Sequence, residues 1–266
     1  MTTEEGSVQG VAYLRDKFYV VCDDSGSIFV YDVAPHYTRL DDIPLPCGGD
    51  DDQLSPCDLA ACATTLGLYV TDCNRDCIWY ISVIDRVTVT RWKNGIGDPY
   101  RLSVTADGMV IVPGEGQLNI FRPDGILELT VPLSNEVADP QHSVRTSAGT
   151  FIIATGDGKI VEVSAEGCII RLCRGDVETP QHLAIDAVHG SIFVIDRRIG
   201  NERILLLDRQ LKLRRVLLSR SDKDRVEGCC RIAFSDGLLL VGMDFEEENE
   251  LQGGCMDVYS LATEKI

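Results

Sequence analysis

"TPQHLAID" at residues 179–186 repeats, forty positions later, the pattern of "DPQHSVRT" at 139–146. A Pro-Gln-His pair at a fixed interval reads either as two arms of a histidine site or as the mark of a repeated structural unit. Aligning the chain on the proline decides between them. The segments "SVQGVA" (7–12), "SPCDLA" (55–60), "DPYRLS" (98–103) and "GCCRIA" (228–233) fall into the same register. The anchor residues are then Val8, Pro56, Pro99, Pro140, Pro180 and Cys229, spaced 40 to 49 residues apart. One four-stranded propeller blade takes about 40–45 residues.

Each anchor is followed by a short apolar strand and then by a β-branched run such as "FYVVCD" (18–23), "FIIATG" (151–156) or "SIFVID" (191–196). A third run follows, such as "SIFVYDV" (27–33) or "RILLLDR" (203–209), and turns such as "PDG" (123–125) lead into a fourth, more polar strand. No stretch sustains a helical period, and no apolar run is long enough for a membrane helix. The expected fold is all-β: one six-bladed propeller over residues 1–266, with four-stranded antiparallel blades around one large core. Inner strands should begin near Gln9, Cys57, Tyr100, Gln141, Gln181 and Cys230. Little chain follows "CMDVYSL" (255–261), so residues before Val8 are expected to supply the last strand of blade 6.

The net charge of −17 argues against nucleic acid, whose phosphates require clustered Lys and Arg. The opening "MTTEEG" lacks the apolar run of a secretory signal, so a cytoplasmic, monomeric protein with free thiols is expected among the 11 cysteines. Cys57, Cys73 and Cys77 fall on one edge of blade 2. Their spacing does not match a zinc ribbon, which leaves a disulfide or free thiols, with free thiols the expectation in a reducing compartment.

"LYVTDCNRDCIWYI" (68–81) and "IFVIDRRIGNERILLLD" (192–208), each preceded by a Pro-x-x-aliphatic-Ala strand, resemble NHL repeats. The whole chain is most similar to the NHL propellers at the C-terminus of tripartite-motif proteins. That resemblance implies a non-enzymatic platform binding protein or RNA, with any ubiquitin-ligase activity in an upstream RING domain. No RING pattern is present in this sequence.

In such a disc the inner strands begin and the second strands end on one face. Two residues after each anchor stand Gly10, Asp58, Arg101, His142, His182 and Arg231, expected as a ring around the channel mouth. With Tyr100, the side chains of Asp58, Arg101, His142, His182 and Arg231 form the expected contact set for a protein or peptide partner, the guanidinium forks suiting an anionic group. Outside them an acidic rim of Asp50, Asp51, Asp52, Glu246, Glu247 and Glu248 suits a basic partner. Asp23, Asp72 and Asp196 close second strands and are expected to accept backbone N–H bonds in the turn that follows. No catalytic residue, metal or cofactor is expected. The alternative is a metal-dependent enzyme at the channel mouth, lactonase-like or similar to the amidating lyases that hold zinc by three histidines. His142 and His182 supply two ligands, and Asp58 would have to supply the third. RNA binding is a further alternative.

Overall fold

The computed structural model describes residues 2–3, 6–23, 25–33, 37–46, 54–97, 99–137, 139–173, 175, 177–198, 201–221, 229–247 and 250–261. They form six antiparallel sheets of four strands, one per blade, and the described residues contain no helix. No helix is therefore long and apolar enough to cross a membrane. The inner strands are Val8–Leu14, Pro56–Cys62, Ser103–Val104, Pro140–Arg145, Pro180–Asp186 and Cys229–Ser235. Blade 6 takes its fourth strand from the other end of the chain: Thr2 and Thr3 pair with Cys255 and Gly254, as expected of an edge that would otherwise stay open.

The middle strands explain why the disc forms. Successive side chains of a strand point to opposite faces, and here both faces are covered by neighbouring blades. In the second strand of blade 1, Tyr19 and Val21 pack toward Leu68 and Val70 of blade 2. Phe18 and Val20 pack toward Leu240 and Met256 of blade 6. The expected single core is instead six apolar wedges, one at each junction between blades. A radial array has no common centre, because the inner strands surround a channel.

Pairing of inner with second strand slips by one residue at the same place in five blades: Val8/Gly10, Pro56/Asp58, Pro140/His142, Pro180/His182 and Cys229/Arg231. The residue between the two is the extra residue of a β-bulge, which re-aims the side chain that follows it. Pro-Gln-His is therefore a strand-opening proline, a bulged glutamine and a histidine turned into the channel. Gly10 holds the equivalent place in blade 1, where a Cβ would lie 2.4 Å from Cβ of Leu59 and 2.6 Å from its backbone nitrogen. Only glycine lets blades 1 and 2 approach this closely.

Cys57 and Cys73 form a disulfide, not the expected pair of thiols, with Cα atoms 6.4 Å apart. Cys57 is the bulged residue and Cys73 follows the second strand, so the bridge clamps the hairpin at its bulge. Cys77 stays unbridged and buried, and burial pushes its thiol up to about 11. In blade 6 the hairpin of second and third strands is longer than in the other blades. The second and third strands run on as Leu238–Glu247 and Glu250–Ser260, lengthening the hairpin.

Asp72 and Asp196, and Asp244 in blade 6, accept N–H bonds from chain entering a blade, where bonds from the following turn are the expectation. Asp196 Oδ1 accepts from Glu178 and Thr179 (2.9 and 2.7 Å), and Asp72 Oδ1 accepts from Ser55 at 3.2 Å. Asp244 does this across the ring closure, accepting from the Val8 amide at 2.8 Å and the Ser7 hydroxyl at 2.6 Å. Replacing Asp244 by Ala strands the fully buried Val8 amide, at a cost of about 1–3 kcal/mol. Urea unfolding should show the midpoint falling for Asp244→Ala and falling less for Asp244→Asn, which keeps an acceptor.

Candidate metal centre in the channel

Bulges bring the side chains of Asp58, His142 and His182 to one end of the channel. All three are buried, at 1, 2 and 5 % exposure. One ligand atom from each lies within 4.8 Å of the others. The imidazole rings lie tilted by 31° with centroids 3.8 Å apart, and His182 Nε2 lies 3.5 Å from Asp58 Oδ1.

Blade 3 determines how the cluster is held. Its inner strand has two residues, and the preceding Leu102 peptide finds its partners in side chains of neighbouring blades. The Leu102 N–H donates to Asp58 Oδ2 at 3.0 Å, and the Leu102 carbonyl lies 3.2 Å from His142 Nε2. The carbonyl can only accept, which assigns the proton to Nε2 and leaves the Nδ1 lone pair of His142 open. The Leu59 N–H donates to Asp58 Oδ1 at 2.9 Å. His142 Nδ1, His182 Nδ1 and His182 Nε2 are all buried without a hydrogen-bond partner. An orphaned polar atom costs about 1–3 kcal/mol of desolvation, so three on adjacent rings mark a place where a ligand belongs.

Both arginines of the expected ring converge on one atom. Arg101 Nη1 and Arg231 Nη2 each donate to the Cys57 carbonyl at 3.0 Å. Arg231 also donates to the Gln9 carbonyl at 2.5 Å and to Gln9 Oε1 at 2.6 Å, while standing 4.0 Å from Asp58. Its guanidinium bridges blades 6, 1 and 2 and is 5 % exposed. Of the expected partner contacts, Asp58, His142, His182 and Arg231 are enclosed, Arg101 is half-buried, and Tyr100 is 59 % exposed. Asp50, Asp51, Asp52 and Glu248 lie outside the described residues. Glu246 and Glu247 end the long strand of blade 6, paired with Leu251 and Glu250. Sequence reading missed Gln9, Leu102 and the Cys57 carbonyl, since two of them act through the backbone. The Gln in "VQG" at the bulge position was the available signal.

Burial, followed by the adjacent His182, holds His142 well below its ordinary 6.5, against the pull of Asp58. Burial likewise lowers His182, again opposed by Asp58. Burial alone would raise the Asp58 carboxyl; His182, Arg231 and His142 outweigh it and hold it well below the usual carboxylate range. The site at neutral pH is a carboxylate beside two neutral imidazoles, the protonation states that ligate metal.

Beyond the imidazoles lies a cavity of about 390 Å³ lined by the inner strands of all six blades. It runs from His142 and His182 toward Leu14, Arg15, Ser235 and Asp236, where the inner strands end. On the other face Tyr100 and Arg101 border a groove of about 430 Å³ with Glu115, Asp139 and Gln141.

No known family model matches the chain, and no curated protein matches it. Solved structures do. A streptogramin B lyase is similar with a TM-score of 0.64 at 12 % identity, over 99 % of this chain and 86 % of that one. The virginiamycin B lyase of Staphylococcus aureus is similar with a TM-score of 0.60 at 13 % identity, over 96 % and 85 %. A protein of unknown function from Bacteroides caccae gives 0.60 at 17 %, over 85 % of each chain. At these identities the likeness shows the propeller fold alone. Two of these three are lyases, and the expected likeness to tripartite-motif NHL domains finds no support among them. They also correct the expectation that the chain is not an enzyme: a platform role does not follow from a fold that two lyases share.

The depressed histidines give a pH dependence of definite sign. Between their folded values and 6.5 the unfolded chain binds more protons than the folded one, so stability is full above pH 6.5 and falls as the pH drops below it. Asp58 adds a further loss only below its unfolded 3.8. Thermal melts from pH 8 to 4.5 should show this decline, and a His142→Gln, His182→Gln double variant should flatten it between pH 6.5 and 5.

Proposed function

We propose that the chain is a metal-dependent enzyme of the lyase or hydrolase kind, whose divalent ion is held by Asp58, His142 and His182 in the propeller channel. The observation that carries this reading is the set of three unpartnered, buried imidazole nitrogens beside a buried carboxylate at the end of a cavity. Three protein ligands with a fourth position left for water or substrate is the pattern of catalytic zinc. The Nε2–H of His142 on the Leu102 carbonyl is the kind of outer contact that orients a metal-ligating imidazole. Such an ion, when bound, polarises a substrate carbonyl or makes its water more acidic.

The chain's own groups have separable roles in this reading. Asp58 is held by two backbone N–H groups and keeps lone pairs directed at the cluster. Arg231 is engaged by Gln9 and Cys57 rather than paired bidentately with Asp58, so the carboxylate remains available. Arg101 and Arg231 together favour negative charge developing nearby. The likeness to lyase propellers supports the reading by showing that this fold hosts lyase chemistry.

A second reading rests on Tyr100. An exposed aromatic beside a groove suits a protein or peptide partner of the kind bound by the NHL propellers of tripartite-motif proteins.

Calorimetry with zinc, manganese and magnesium separates the two. One equivalent of ion should bind, and His142→Ala, His182→Ala or Asp58→Asn should each weaken it by at least about tenfold, the loss typical of a disturbed metal site. If no ion binds while Tyr100→Ala abolishes capture of a partner, the second reading replaces the first.

A further inference from the structure

We infer that the channel takes a slim, largely apolar molecule bearing one polar head group, entering from the face where the inner strands end and reaching the imidazoles head first. This extends the metal-centre reading of the same channel, but its physical basis is the channel wall.

Four residues after each anchor stand Ala12, Ala60, Ser103, Val144, Ala184 and Ala233, a belt of small side chains at one height around the cavity. Their size is what leaves about 390 Å³ open, within the 300–1,000 Å³ typical of small-molecule sites. Between the belt and the imidazoles the wall is Val11, Leu59, Leu102, Leu183 and Ile232, each one residue before a belt position. Among the described residues the charged or titratable lining groups are Tyr13, Arg15 and Asp236 toward one end and His142 and His182 at the other. Arg15 and Asp236 stand at the rim, and His142 and His182 at the floor.

Between the two ends a sugar, nucleotide or acidic peptide threaded into this shaft would meet one side-chain hydroxyl, that of Ser103, and would leave most of its polar groups unpaired, a cost of several kcal/mol per group on the order given by water-to-hydrocarbon transfer. An acyl or alkyl chain meets no such cost. Its head would arrive at the unpartnered imidazole nitrogens of His142 and His182. Entry from the opposite face is closed by Arg231, which is buried and bonded to Gln9 and Cys57. At the rim, Arg15 leans away from the opening with Nη1 3.4 Å from the Val83 and Ile84 carbonyls, leaving the mouth clear.

Two measurements test the wall and the floor independently. N-phenyl-1-naphthylamine, a neutral apolar fluorophore, should bind metal-free protein with a fluorescence gain. Ala63→Trp and Ser235→Trp place bulk at the mouth, on residues that are exposed or half-exposed, and each should weaken that binding by at least about tenfold. On zinc-loaded protein, octanohydroxamic acid should bind at least about tenfold more tightly than acetohydroxamic acid, because only the longer chain buries apolar surface. If zinc fails to bind while the fluorophore does, and both tryptophans exclude it, the channel inference stands and the metal reading falls. Fluorophore binding that is absent, or unchanged in both tryptophan variants, overturns the channel inference even where zinc binds. Equal affinity for the two hydroxamic acids overturns it as well.

Discussion

Every blade of this propeller must bury both faces of its middle strands, and that demand organises the molecule. A second strand such as Lys17–Cys22 sends Phe18 and Val20 into one junction and Tyr19 and Val21 into the next. No blade can satisfy both faces alone, so the array is stable only as a closed ring. Closure falls to short-range contacts between the two ends of the chain: Thr2 and Thr3 beside the last strand, and Asp244 on the amides and hydroxyl of the first blade. The price of this wedge packing is a channel at the centre, because inner strands stand edge-on to the axis.

The same repeat unit places chemistry at the channel. A bulge after the first residue of an inner strand turns the third residue inward, and five blades share it. What differs among blades is only the residue delivered: glycine, aspartate, two histidines and arginine. Adjacent histidines in blades 4 and 5 bring their ring centroids to 3.8 Å, and Asp58 from across the channel completes the group. Blade 3 departs from the pattern, and its shortened inner strand is repaired by the cluster itself, since Asp58 and His142 take the N–H and carbonyl of Leu102. Asp58 and His142 thus serve the fold and orient the site at once, while His182 faces Asp58 at 3.5 Å and has no backbone partner among the described residues.

Cys57 joins the covalent framework to that site. It is the bulged residue beside Asp58, it is bridged to Cys73, and its carbonyl receives both Arg101 and Arg231. Two guanidiniums on one carbonyl concentrate positive charge behind the carboxylate, with Arg231 Nε 4.0 Å from Asp58 Oδ1. The burial that follows keeps the imidazoles neutral and the carboxylate ionised, so the electrostatic state of the centre is a consequence of how tightly the blades close over it.

The sequence alone determined the blade count, the order of strands, the structural aspartates and the closing role of the N-terminus. These follow from periodicity in residues that touch chain neighbours or the same position of the adjacent repeat. It also singled out Asp58, His142 and His182 as positions at one height. Their burial, their mutual distances and the face from which they are reached were not legible there. A bulge shifts a side chain by one register without any compulsory residue type, so "PQH" and "PCD" do not announce which way the third residue turns. The disulfide, the convergence of two arginines on a carbonyl and the belt of small residues each depend on blades far apart in the chain meeting around an axis. Only the tertiary structure decided those, because closure of the ring, and no local preference, sets the width of the channel and what lies at its floor.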